Sequence, residues 1–268
     1  MKRIVCWTLA IVLLAMIPAR PVFAWGWIGH RVAAKMAEER LNTRARAGVG
    51  DLLGPGVKLA DVSTWADEQQ EVPQSGLWHS VNVPLEEFRY DPRYCPPRGC
   101  VVSKIGEFGR VLRNPAAGKT EKQRALKFLI HLIADLHQPM HVGDNNTRGG
   151  NLLQVRFLNE GSNLHKVWDY QIIERHSKHP GVWLWDLTYL ANPNRVAEWS
   201  KGTPEDWATE SLVTARSAYR LPAGKTVIKP GTRIGAEYCG AALPIIRRQL
   251  AKAAIRTAWY LNQIFNMN

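Results

Sequence analysis

The sequence predicts a mainly α protein, a multi-helix bundle carrying a small β hairpin, on three observations. Apolar residues recur at helical spacing through most of the chain, and strand-like alternation is confined to two short stretches. Hydrophobic residues make up 46% and charged residues 22% of the 268, enough to bury a sizeable core and too apolar for a disordered chain. No repeat, low-complexity linker or shift of composition divides the chain.

At the amino end, Lys2 and Arg3 precede an apolar run over 4–17, followed by Pro18, Pro21 and the tripeptide Val22, Phe23 and Ala24. That order predicts a secretory signal over 1–24, cut after Ala24. One domain over 25–268 then remains, secreted or periplasmic, where disulfides persist. The run is shorter than the roughly 20 residues a helix needs to cross a bilayer, so no stable membrane association is expected. Lys and Arg number 35 against 23 Asp and Glu, a net charge of +12, and losing Lys2, Arg3 and Arg20 leaves the chain basic. Such a balance suits polyanions without naming one.

Helices are expected over 28–41, 59–70, 105–112, 122–137, 163–176, 204–218 and 234–265, each from apolar positions three and four apart. Pro244 should kink the last or start a second helix, because proline has no amide hydrogen for the ladder. Weak alternation over 152–158, after Gly149 and Gly150, and the stretch 78–83 predict the strands. Cys95 and Cys100 flank a Pro-Pro-Arg-Gly turn that can bring their sulfurs together, which leaves Cys239 as a buried free thiol. A cysteine metal site would need a second pair.

Residues 126–141, LKFLIHLIADLHQPMH, are apolar on nearly every side yet include His131 and Asp135. A buried carboxylate is costly unless it is paired, hydrogen-bonded or bound to a cation. Four residues apart, the two side chains share a helix face, as a core hydrogen bond or as two ligands of one ion. The spacing recurs at His165 and Asp169 in NLHKVWD, and His141 follows the break at Pro139. Two such pairs and a third histidine suit a multinuclear site on facing helices. Asp67 in STWAD and His79 in LWHSVNVP also interrupt apolar stretches; each alone fits a satisfied capping or core group. After the cut the chain opens on Trp25 in WGWIGH. Its free amine and carbonyl can chelate an ion with His30 in reach, or the two can be a buried tryptophan and a helix-start histidine.

In this order the motifs resemble the zinc-dependent single-strand-specific nucleases of the mung bean nuclease type. That family has mould and bacterial members and is distantly related to zinc phospholipase C. The resemblance covers 25–268 and implies three zinc ions per chain. His79, His131 and Asp67 would hold the first with Asp135, which bridges to a second held by the Trp25 amine and carbonyl and by His30. His141, His165 and Asp169 would hold the third. It also implies that Asp67 and Asp135 serve catalysis, that single-stranded DNA and RNA are cut to 5′-phosphorylated products, and that nucleotides lose a 3′-phosphate. His137 is expected to support rather than ligate.

Departures from the family pattern fall among the substrate-binding candidates, Gln70, Ser80 and Asn82. A basic residue often stands three places after the aspartate of the WAD motif; here it is Gln70, which predicts slower turnover or a cation supplied from elsewhere. Ser80 and Asn82 occupy the base-pocket positions, so base preference is expected to be broad or different. The alternatives are a phospholipase C-like enzyme on the same scaffold and an exported zinc- or nucleic-acid-binding protein of reduced activity.

Overall fold

A computed structural model describes residues 24–69, 72, 74–222 and 226–266. The predicted signal over 1–24, apart from Ala24, and Gln70 lie outside the described residues. Among the described residues no helix is long and apolar enough to cross a membrane.

The architecture is mainly α with a small sheet, as the periodicity predicts. Helix α1 is Gly26–Glu38, α2 Thr43–Leu53, α3 Leu59–Val62, α4 Val101–Arg113 and α5 Lys119–Leu136. Strand β1 (Val83–Pro84), between α3 and α4, pairs in parallel with β2 (Gly143–Asp144), and after β2 the hairpin is made by β3 (Gln154–Phe157) pairing antiparallel with β4 (Glu160–Asn163). Leu158 and Asn159 turn that hairpin with φ of 51° and 75°, matching the right-handed twist of the strands. Next come α6 (Leu164–Lys166), a π-helical turn Val167–Gln171, α7 (Ile172–His176), α8 (Pro180–Leu190), α9 (Pro193–Trp199) and α10 (Pro204–Ala218). Strand β5 (Arg233–Ile234) adds in parallel to β3, and α11 is Ala236–Asn266.

Two apolar clusters make the core. One joins α2, α4 and α5, with Phe108 and Phe128 stacked at 4.9 Å, to the end of α11. The other joins α1, the hairpin, α8 and the start of α11. Helix α5 is buried at every position from Phe128 to Leu136 because it runs between them. Small residues Ala251, Ala253, Ala254 and Ala258 of α11 are all buried, which lets neighbouring backbones approach closely.

Several elements differ from expectation. The predicted helix 59–70 ends at Val62, and a 3-10 turn Trp65–Glu68 follows. The Ser63 hydroxyl donates to the Ala60 carbonyl, and the Ser63 carbonyl is taken by His131 at 2.7 Å instead of continuing a helical ladder. The predicted strand 78–83 is a 3-10 turn Ser75–His79 and an extended segment that pairs only at Val83–Pro84. Helix α11 runs as one element through Pro244. Cys95 and Cys100 form the predicted disulfide, with Cα atoms 5.4 Å apart, and Cys239 is a buried free thiol.

Candidate metal centre

His131 and Asp135 are fully buried on α5 and face side chains from three other segments. The Asp135 carboxylate lies 3.3 Å from His30 Nε2 on α1, 2.8 Å from His79 Nδ1 and 3.1 Å from His131 Nε2. Asp67 Oδ1, from the 3-10 turn, is 3.4 Å from His131 Nε2 and 3.7 Å from His79 Nδ1. The rings of His30 and His131 stack at 4.0 Å. A separate group comprises His141, His165 and Asp169, with His165 Nε2 3.2 Å and His141 Nε2 3.6 Å from the carboxylate. Three sets, His30 with His131 and Asp135, Asp67 with His79 and His131, and His141 with His165 and Asp169, each bring their ligand atoms within 4.8 Å of one another.

Local hydrogen bonds fix the histidine rings. Nδ1 of His131 donates to the Ser63 carbonyl at 2.7 Å, that of His141 to the His79 carbonyl at 2.7 Å and that of His165 to the Gly149 carbonyl at 2.6 Å. These assignments leave each Nε2 lone pair aimed at carboxylate oxygens, an arrangement that needs a proton or a cation between them. The β1–β2 pairing reinforces it: Val81 N donates to the His141 carbonyl at 2.8 Å, tying the segment after His79 to His141. Asp169 sits in the π-helical turn, and Gln138 Nε2 donates to it at 2.5 Å.

The residues fit a cation on a further observation. Buried and without a hydrogen-bond partner are both ring nitrogens of His30, Asp67 Oδ2, Asp135 Oδ1, His141 Nε2 and Asp169 Oδ2. Unpartnered buried polar atoms cost roughly 1–3 kcal/mol each, more when charged, so their concentration in these two groups calls for a ligand in each. The titration tendencies agree. Burial opposes charge on Asp135, yet His131 and the other imidazoles hold its carboxyl well below the usual range. Burial also opposes charging His141, but Asp169 and Asp135 outweigh it and push the ring up to about 9. His30 is shifted down, by burial first and then by its neighbour His131.

The S1/P1 Nuclease family model matches residues 25–266. The chain belongs to the S1/P1 nuclease family. Endonuclease 5 of Arabidopsis thaliana is 32% identical over 90% of this chain and 90% of its own. Endonuclease 3 of the same plant is 29% identical over 97% and 95%, and Nuclease S1 of Aspergillus oryzae 28% over 92% and 93%. Membership in the S1/P1 nucleases makes the protein a nuclease, a hydrolase of phosphoester bonds.

The sequence motifs of this S1/P1 nuclease meet in space with one distinction. His137 also donates Nδ1 to a backbone carbonyl, that of Ile133 at 2.7 Å, but its Nε2 is occupied by Arg256 Nη1 at 3.0 Å. Burial and then Arg256 drive its pKa down to about 3, so it stays neutral and structural. Trp25 is wholly buried, and its indole donates at 2.8 Å to the carbonyl of Ala134, the residue before Asp135. Gly26 follows with φ of 56°; a Cβ there would lie 2.9 Å from the Tyr170 Cβ, beside Asp169.

Asp67, His79, His141 and His165 open on a cleft of ≈ 490 Å³ that Ser80 also lines, whereas Asn82 is exposed and is not among the lining residues. Arg148 and Asn151 line the same cleft and were not anticipated from the sequence. Their one signal was adjacency to Gly149 and Gly150. Gln138 was also missed: nothing in HQPMH distinguishes a glutamine that positions Asp169 from one at a surface.

Proposed function

We propose that residues 25–268 act as a single exported catalytic unit that uses three zinc ions to cleave single-stranded DNA and RNA, leaving 5′-phosphates. The same site would remove the 3′-phosphate of nucleotides. The observation that carries this reading is the cluster of buried, unpartnered imidazole and carboxylate atoms beneath an open cleft. Asp67, His79, His131 and Asp135 would hold the first zinc. Asp135 would be shared with the second, beside His30 and the amine and carbonyl of Trp25, and His141, His165 and Asp169 would hold the third. Removal of residues 1–24 frees that amine; the Trp25 indole bond to Ala134 keeps the residue against α5.

When bound, zinc supplies Lewis acidity, making water acidic enough to attack phosphorus near neutral pH and offsetting charge on phosphate oxygens. The chain's own groups orient the rest. Backbone carbonyls of Ser63, His79 and Gly149 hold three imidazoles in the tautomer that presents Nε2. Gln138 steers Asp169, so Gln138→Leu is expected to weaken zinc retention at that group about 10–100-fold, read by competition with a chromogenic chelator. A single strand enters the cleft without the cost of unpairing, which favours it over duplex.

The test is chelation. Metal-free protein is expected to lose hydrolysis of a single-stranded oligonucleotide and to recover it with added zinc, the products carrying 5′-phosphates by mass spectrometry. Full activity after verified metal removal, or release of phosphocholine in preference to nucleotides, would overturn the reading.

A further inference from the structure

Among the described residues lining the cleft, Arg148 is the one lysine or arginine, facing a rim otherwise set by Asp67, His79, Ser80, His141 and His165. It is exposed, and its guanidinium makes no hydrogen bond or ion pair with the described residues, whereas the buried Arg256 and the part-buried Lys252 both pair with Glu210. The backbone beneath it is fixed with unusual care. Asp144 Oδ1 accepts from Thr147 N at 2.9 Å and Gly149 N at 3.0 Å, and Thr147 Oγ1 accepts from Gly150 N at 3.0 Å. Within this turn Arg148 holds φ of 53°, a conformation that disfavours a branched or long side chain. Gly149 is irreplaceable next to it, since a Cβ there would lie 2.2 Å from the Met140 carbonyl oxygen. The Gly149 carbonyl in turn receives His165 Nδ1, so the residue next to Arg148 in the chain fixes a histidine of the candidate centre.

A left-handed arginine held on a pinned turn, with its fork uncommitted and lining the cleft over the candidate centre, is costly unless the fork has work to do. We propose that Arg148, the one lysine or arginine among the described residues lining the cleft, binds the non-bridging oxygens of the substrate's phosphate and so acts as a catalytic residue. The proposal rests on the nuclease reading.

Arg148→Gly tests it cleanly, because glycine adopts positive φ freely and the turn is left unstrained. The expected result is a fall of about 100-fold in kcat/KM on a single-stranded oligonucleotide. Inhibition by inorganic phosphate should weaken at least about tenfold, zinc content and Tm should not change, and added guanidinium should restore part of the rate. Arg148→Lys should fall between, keeping charge but losing the bidentate fork. An Arg148→Gly enzyme with wild-type kcat/KM, or one that is slower yet keeps wild-type phosphate inhibition and shows no guanidinium rescue, would overturn the proposal. Wild-type protein that binds zinc but hydrolyses no nucleic acid would instead overturn the nuclease reading, and the proposal with it.

Discussion

Asp135→Asn is expected to lower hydrolysis of single-stranded DNA by about two to three orders of magnitude, because the cations this carboxylate would hold, which would offset transition-state charge, are lost with it. The carboxylate is fully buried and lies within 3.3 Å of nitrogens from His30, His79 and His131, three residues on three different segments. Asparagine fits the same space, so packing survives. What disappears is the negative charge that faces His30 and His131 of one set and His79 of the set that shares His131 with it. Elemental analysis should show zinc lost from those two sets, while the set made by His141, His165 and Asp169 keeps its ion. Unchanged turnover with full zinc content would contradict the assignment of Asp135.

The largest effect on stability is expected at Arg256, which is buried on α11. Its guanidinium donates to Glu210 at 2.7 and 2.9 Å, to His137 Nε2 at 3.0 Å and, through Nε, to the Trp199 carbonyl at 3.2 Å. Arg256→Met refills much of the volume but leaves His137 Nε2 and the Trp199 carbonyl without a donor. Glu210 is partly exposed and keeps Lys252 at 2.7 Å, so it bears less of the cost. A loss of about 3 kcal/mol is expected in denaturant unfolding, and a Tm lower by on the order of 10 °C. Burial opposes charge on Glu210, but Arg256 and Lys252 outweigh it and hold the carboxyl at about 2, below its ordinary 4.5. A depressed carboxylate pKa stabilises above the ordinary value and loses that contribution as pH falls toward the folded one. The gap between wild type and Arg256→Met should therefore narrow between about pH 4.5 and 2. Equal stabilities at pH 7 would contradict this account.

The two His-x-x-x-Asp pairs were legible because a helix repeats its face every three to four residues, so spacing alone places His131 with Asp135 and His165 with Asp169. Their convergence with Asp67 and His79 was not. Those two stand on 3-10 turns, whose direction depends on tertiary bonds such as that between Ser63 and His131, and the family resemblance rather than any periodicity grouped them. The β-branched Val81 and Val83 made 78–83 look like a strand, but it opens at the end of a turn, where the Trp78 ring packs against Phe108 and Phe128. Helix α8 escaped notice because apolar residues surround it: Trp183 and Leu187 are buried while Trp185 and Tyr189 stack on one another in solvent. Helix α2 carries Gly48 and Gly50, and its place is set by packing, with Gly48 against the Phe265 ring. Intrinsic propensity counts against both glycines.

We propose that the buried imidazoles and carboxylates hold metal. Elemental mass spectrometry on the purified chain beginning at Trp25, run in parallel with the nuclease assay, tests it most directly. About three zinc ions per chain are expected in active protein, one for each His/Asp set, with activity lost in step with their removal. Fully active protein containing no zinc or other divalent metal would contradict it.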